Sequence, residues 1–146
     1  MKSGISAIGH AIEKILQGKS ILIIDDEEKI RSLLSNYLLL AAIDENLIVH
    51  ACDGVEGLRK IQNQDFGLII IDIVLPRKNG LELYKEIRSR ARTRNIPTMF
   101  ISGNLSSGIV KRAILMGAKH IIAKPFKYDV FLERLSRCLE VEGPQY

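Results

Sequence analysis

The sequence has no tryptophan, two cysteines and only 5% aromatic residues. Cys52 and Cys138 lie 86 residues apart, with no CxxC pair and no neighbouring histidine pair, which argues against a disulfide framework or a thiolate zinc cluster. No apolar run reaches the roughly 18 to 20 residues that cross a bilayer, so no membrane span is expected. The amino-terminal stretch is interrupted by Glu13, Lys14 and Lys19, where a secretory leader needs an unbroken apolar core. These absences together lead to an expected cytoplasmic location.

What is present fits one globular domain. A chain of 146 residues with 47% hydrophobic and 26% charged residues can build a full core without disulfides or a structural metal. The net charge of +4 is local: residues 77–94 hold seven cations (Arg77, Lys78, Lys85, Arg88, Arg90, Arg92, Arg94) against Glu82 and Glu86. The rest of the chain is close to neutral, so the basic character is one patch and not a general nucleic-acid surface. Arg88, Arg90, Arg92 and Arg94 alternate at every second position, which is expected of a solvated connection. An acidic partner, a membrane surface or nucleic acid is the functional alternative for this patch. No aromatic residue interleaves the arginines, and nucleic-acid binding is not expected.

Short apolar runs at 21–24, 47–49, 68–71, 98–101 and 121–123 read as buried strands. Helical periodicity lies between them, clearest in Ile30, Leu33, Leu34, Tyr37 and Leu38. Alternating strands and helices with nearly continuous apolar strands predict an α/β domain, a doubly wound five-stranded parallel sheet with helices on both faces. Ligands of such sheets bind beyond the carboxyl ends of the strands. Those ends carry Asp25-Asp26-Glu27-Glu28, Asp72, Ser102-Gly103-Asn104 and Lys124-Pro125-Phe126.

Asp25, Asp26 and Asp72 would converge there, and like charges so close require a neutralising cation. Oxygen donors without histidine or cysteine favour Mg²⁺, which commonly shares its coordination shell with a phosphate. Lys124 offers a point charge to a phosphate oxygen, and Ser102 a hydroxyl donor. The set is suited to forming an acyl phosphate on a carboxylate. A flavodoxin-like phosphate loop is missing, because Asp25-Asp26-Glu27-Glu28 would repel an anion. A haloacid-dehalogenase-type phosphatase would need a second acid where Val74 stands, and no P-loop is present.

ILIIDDEE at 21–28, IIIDIVLPRKNG at 69–80, FISGN at 100–104 and AKPF at 123–126 resemble the signatures of the receiver domain of two-component response regulators, in order and spacing. The resemblance covers residues 19–141 and implies the flavodoxin-like receiver fold. It implies that Asp72 is the phosphoacceptor, attacking a phosphoryl group carried by a sensor histidine kinase or a histidine phosphotransfer protein. Asp25 and Asp26 would hold Mg²⁺ with Asp72 and the backbone carbonyl of Val74. Lys124 would pair with a phosphoryl oxygen, and Ser102 would swing toward it. The implied chemistry is self-catalysed phosphoryl transfer and loss, not an enzyme acting on a separate substrate.

Two positions depart from the family pattern. Gly103 stands where a small alanine is commoner, and Ile121, preceded by His120, stands where the switch aromatic is usual. Residues 1–18 fall outside the resemblance, with Ile5, Ile8, Ile12 and Ile15 spaced as an amphipathic helix. A helix this short must dock on its own domain, a second copy or a partner groove, and self-association through residues 5–16 is one expectation. Residues 142–146 form a short tail, so a stand-alone receiver is expected. Its output would be protein contact through 105–117, 121–123 and 127–141. The competing reading is a docking domain of the same fold that is never phosphorylated.

Overall fold

A strand buried on both faces needs apolar residues at every position, and the five runs meet that requirement. In a computed structural model, which describes residues 4–140 but not the side chains of residues 4–6 or Ser107, they form β1 (Ser20–Ile24), β2 (Ile48–Ala51), β3 (Phe66–Asp72), β4 (Thr98–Ser102) and β5 (Ile121–Ala123). All pairings are parallel, in the order β2-β1-β3-β4-β5. The direction of winding reverses between β1 and β3, which opens a crevice where Asp25 and Asp72 leave the sheet. Leu47, expected in the second strand, instead closes a 3-10 turn, Glu45–Leu47, which the Asp44 side chain caps by accepting from the Asn46 amide at 2.9 Å.

The helices are α1 (Gly4–Leu16), α2 (Glu28–Leu40), α3 (Gly54–Asn63), α4 (Gly80–Ser89), α5 (Ser107–Leu115) and α6 (Tyr128–Cys138). Successive strand residues point to opposite faces, so each strand feeds two cores. Ile21, Ile23, Leu68, Ile70, Met99 and Ile101 meet α1, α2 and α6. Leu22, Ile24, Ile69, Ile71 and Phe100 meet α3, α4 and α5. Each fully buried large side chain of this kind contributes roughly 1.5–3 kcal/mol relative to exposure. Among the described residues no helix is long and apolar enough to cross a membrane.

Much of the apolar stripe of α1 is covered within the chain, so it docks at least in part on its own domain. Ile8, Ile12 and Leu16 are buried in the core with α2 and α6, whereas Ile15 is left 43% exposed. Gly9 permits the approach: a Cβ there would lie 1.6 Å from the Ala41 carbonyl oxygen. Glu13 fastens the same contact by accepting from the Asp44 amide at 2.8 Å. Ile5 lies among the residues whose side chains are not described.

The arginine run is exposed at Arg88, Arg90, Arg92 and Arg94, as a solvated connection would be, but Arg92 is also anchored to the end of α3. Its guanidinium donates to the carbonyls of Ile61 and Gln64 at 3.0 and 3.1 Å and pairs with Asp65 at 2.9 Å. It thereby covers carbonyls left without partners at the end of α3.

Candidate functional site

Asp25 follows β1 and Asp72 ends β3, and both are buried because neighbouring strands enclose the two central ones. Asp26, one residue on, is exposed at the mouth of the crevice. From the end of β5, Lys124 reaches across two strands. Its Nζ lies 2.7 Å from Asp72 Oδ2, 2.9 Å from Asp25 Oδ2 and 2.9 Å from Glu27 Oε1. The remaining carboxylate oxygens take backbone donors: the Glu27 amide donates to Asp25 Oδ1 at 2.8 Å, and the Val74 amide to Asp72 Oδ1 at 3.0 Å.

The charges do not balance. Ligand atoms of Asp25, Asp26, Glu27 and Asp72 all lie within 4.8 Å of one another, around a single lysine. Burial pushes the Asp25 carboxyl above its usual range and the Asp72 charge adds to this, while Lys124 and the Glu27 amide oppose it. Burial works against the ammonium of Lys124, but the carboxylates of Asp72, Asp25 and Glu27 outweigh it and hold this group above the ordinary lysine range. Asp25 Oδ2 is buried beside Lys124 in ionic contact yet accepts no hydrogen bond. A buried carboxylate oxygen without a directed donor, within an excess of hard oxygen ligands, fits a divalent cation such as Mg²⁺.

Asp25, Asp72 and Lys124 are thus brought together as expected from the sequence, with Asp26 at the rim. Val74 is placed by the hydrogen bond its backbone N–H donates to Asp72, and its side chain is exposed. Ser102 is fully buried at the end of β4, but its hydroxyl turns to its own loop, donating to the Asn104 carbonyl at 2.9 Å and accepting from the Asn104 amide at 3.1 Å. No aromatic ring stands at Ile121, whose carbonyl accepts from Arg134 at 2.9 Å.

Two contributors escaped the sequence reading. Glu27 joins the carboxylate group, and its signal was its place directly after the acidic pair. Asn79-Gly80, read as a turn, does more: Asn79 caps α4 by accepting from the Leu81 amide at 2.8 Å. A Cβ on Gly80 would lie 2.2 Å from the Asp72 carbonyl oxygen, so α4 can start against the site only with glycine there. A second polar group, Cys52, Asp53 and Glu56, is occupied internally. Asp53 caps α3 by accepting from the Glu56 amide at 2.8 Å and pairs with Arg77, while Glu56 pairs with Lys60.

Residues 21–136 match the family model described as response regulator receiver domain. Transcriptional regulatory protein YcbL of Bacillus subtilis (strain 168), itself uncharacterized, is 36% identical over 107 residues, which is 72% of this chain and 44% of that protein. The Regulator of RpoS of Escherichia coli (strain K12) is 34% identical over 112 residues, 77% of this chain and 32% of that protein. The chain therefore spans less than half the length of these curated relatives. The chemotaxis response regulator CheY4 of Vibrio cholerae superposes with a TM-score of 0.74 at 28% identity, covering 82% of this chain and 98% of that one. Sheet order, strand-end acids and family match agree, and the chain belongs to the response regulator receiver domains of two-component signalling.

Proposed function

We propose that Asp72 accepts a phosphoryl group from a sensor histidine kinase or a histidine phosphotransfer protein, and that the modified domain signals by protein contact. The carrying observation is the buried Asp72 carboxylate, 2.7 Å from Lys124 and within a group of acids that fits a divalent cation. Asp25, Asp26 and Asp72, with the Val74 carbonyl, are the residues that would hold Mg²⁺. When bound, Mg²⁺ supplies the charge neutralisation that lets an anionic phosphoryl group approach three acids.

The chain's own residues do the rest. A carboxylate oxygen of Asp72 attacks phosphorus, and the bond to the donor histidine nitrogen breaks. Lys124 exchanges a carboxylate partner for a phosphoryl oxygen. Ser102 can follow only by releasing Asn104, which ties its movement to the loop leading into α5. The output face is proposed to be 105–117, 121–123 and 127–141, where Leu105, Ile114, Leu115 and Val130 are exposed apolar side chains. With Ile121 in place of the usual aromatic, the readout on this face rests on the loop and α5. The reaction is the domain's own modification, and its setting is proposed to be the cytoplasm, where histidine kinases present their phosphoryl groups.

Intact mass after incubation with Mg²⁺ and acetyl phosphate tests this reading. A single labile phosphate adduct is expected, lost with EDTA and lost in Asp72→Asn, which removes the nucleophile at nearly constant shape. An adduct that persists in Asp72→Asn would move the site elsewhere. No adduct in the native chain would favour the docking domain that is never phosphorylated.

A further inference from the structure

The cations that crowd one stretch of sequence separate in the fold. Arg92 closes α3, Arg77 pairs with Asp53 at 3.1 Å and Lys78 with Glu86 at 2.9 Å. Arg88 and Arg94 instead line a cavity of about 330 Å³ with Gly117, Lys119, His120 and Glu140. It lies by the amino ends of β4 and β5, since Thr98 begins β4 and His120 precedes β5. Asp72 leaves the sheet at the opposite end. None of the ion pairs among the described residues engages Arg88, Arg94 or Lys119.

The cavity is partly organised before any ligand arrives. The Arg88 guanidinium lies 6.0 Å from the Tyr84 ring centroid and donates to the Arg94 carbonyl at 3.2 Å, which limits its rotamers. The Tyr84 hydroxyl donates to the Gly117 carbonyl at 3.3 Å, fixing the turn that forms the opposite wall. Burial lowers the His120 pKa, and the like charges of Arg134, Lys119 and Arg137 lower it further against Glu140. Of these charges Lys119 and Glu140 line the cavity, whereas Arg134 and Arg137 do not. Among the described residues, three permanent cations line this cavity with one carboxylate.

We propose that this cavity binds a compact phosphate-bearing polyanion of the pyrophosphate type. The excess of cations matches a group carrying at least two negative charges, which a lone carboxylate does not supply. Arginine forks offer paired donors to two oxygens of one phosphate, and Lys119 adds a point charge for a second. A concave site of this size admits a small ligand, while a nucleic-acid duplex would meet only its rim. The site is separate from Asp72 and does not rest on the phosphorylation reading.

The test is a titration of the full chain with pyrophosphate at constant ionic strength in EDTA, followed by amide NMR. Saturable shifts are expected at Gly117, Lys119 and His120, and none at Gly103. The double variant Arg94→Gln, Lys119→Gln should bind about tenfold or more weakly, because two charge-assisted contacts are lost. Glu140→Gln should bind about threefold more tightly, because an opposing charge in the cavity lining is removed. Shifts that never saturate, shifts centred on Gly103, or unchanged affinity in both variants would overturn the proposal. Equal affinity for citrate would replace phosphate recognition by simple charge attraction, and tighter binding of an oligonucleotide would make the cavity the edge of a nucleic-acid surface; either result rejects the site as proposed.

Discussion

Among the described residues, four carboxylates surround one lysine at the carboxyl ends of the strands, whereas at the amino ends of β4 and β5 three permanent cations face one carboxylate. The two imbalances have opposite sign, and they also differ in depth. Asp25 and Asp72 are short side chains on buried strand ends with little contact with water, so their charge is felt across the crevice at reduced dielectric. Arg94 and Lys119 are exposed and hold their charges on long stems in solvent, where salt and water screen them. Buried imbalance of this sign stores energy that a bound cation can release, while exposed imbalance mainly attracts.

The difference is most exposed by removing the one cation of the acidic end. Lys124→Met leaves Asp25 and Asp72 buried without a partner and is expected to lower stability by about 3 kcal/mol, read as a lower urea midpoint. Added Mg²⁺ should restore part of the loss by binding only the folded state. A loss below about 0.5 kcal/mol would mean that Lys124 does not balance these acids.

Asp25→Asn should move stability the other way. Burial raises the folded pKa of this carboxyl above its ordinary 3.8, so the folded state binds the proton more tightly than the unfolded one. Its contribution to stability is therefore present below that ordinary value and lost as pH rises through the raised folded value. The asparagine variant should be more stable than the native chain at neutral pH, equal to it in acid, and less responsive to Mg²⁺. Thermal melts across pH without Mg²⁺ check the sign, and a destabilised variant at pH 7 would refute it.

The smallest effect belongs to the basic end. Lys119→Gln should change stability by no more than about 0.5 kcal/mol, because the charge is exposed. It should nonetheless bring the His120 pKa back toward its ordinary 6.5 by removing one of the like charges that depress it. His120 ordinarily favours the folded state above that ordinary value and loses its contribution as pH falls toward the depressed one. An NMR titration of the imidazole that shows no upward movement would mean that Lys119 does not act on His120.

Much of the acidic site was legible because strands buried on both faces end abruptly in polar residues. Asp25, Asp72, Ser102 and Lys124 could be placed at strand ends from that boundary alone, and the doubly wound topology brings strand ends together. The partners they choose were less legible. Glu27 is one acid among four consecutive ones, and only the reach of Lys124 selects it. Ser102 carries the expected hydroxyl, but the backbone of its loop offers both a donor and an acceptor nearer than Asp72. Periodicity identified α1 yet included Ile15, because equal spacing does not say which neighbour a stripe faces; the closeness allowed by Gly9 turned Ile8, Ile12 and Leu16 inward instead.

By itself, the order of apolar runs and strand-end acids determined the sheet, the crevice and the kind of chemistry it holds, since these depend on residue type and on neighbours along the chain. The tertiary structure alone decided that Arg92 seals a helix while Arg88 and Arg94 meet Lys119 and His120, and that α1 closes on its own core. Those outcomes depend on which distant segments come within a few ångströms, and linear spacing carries no record of that.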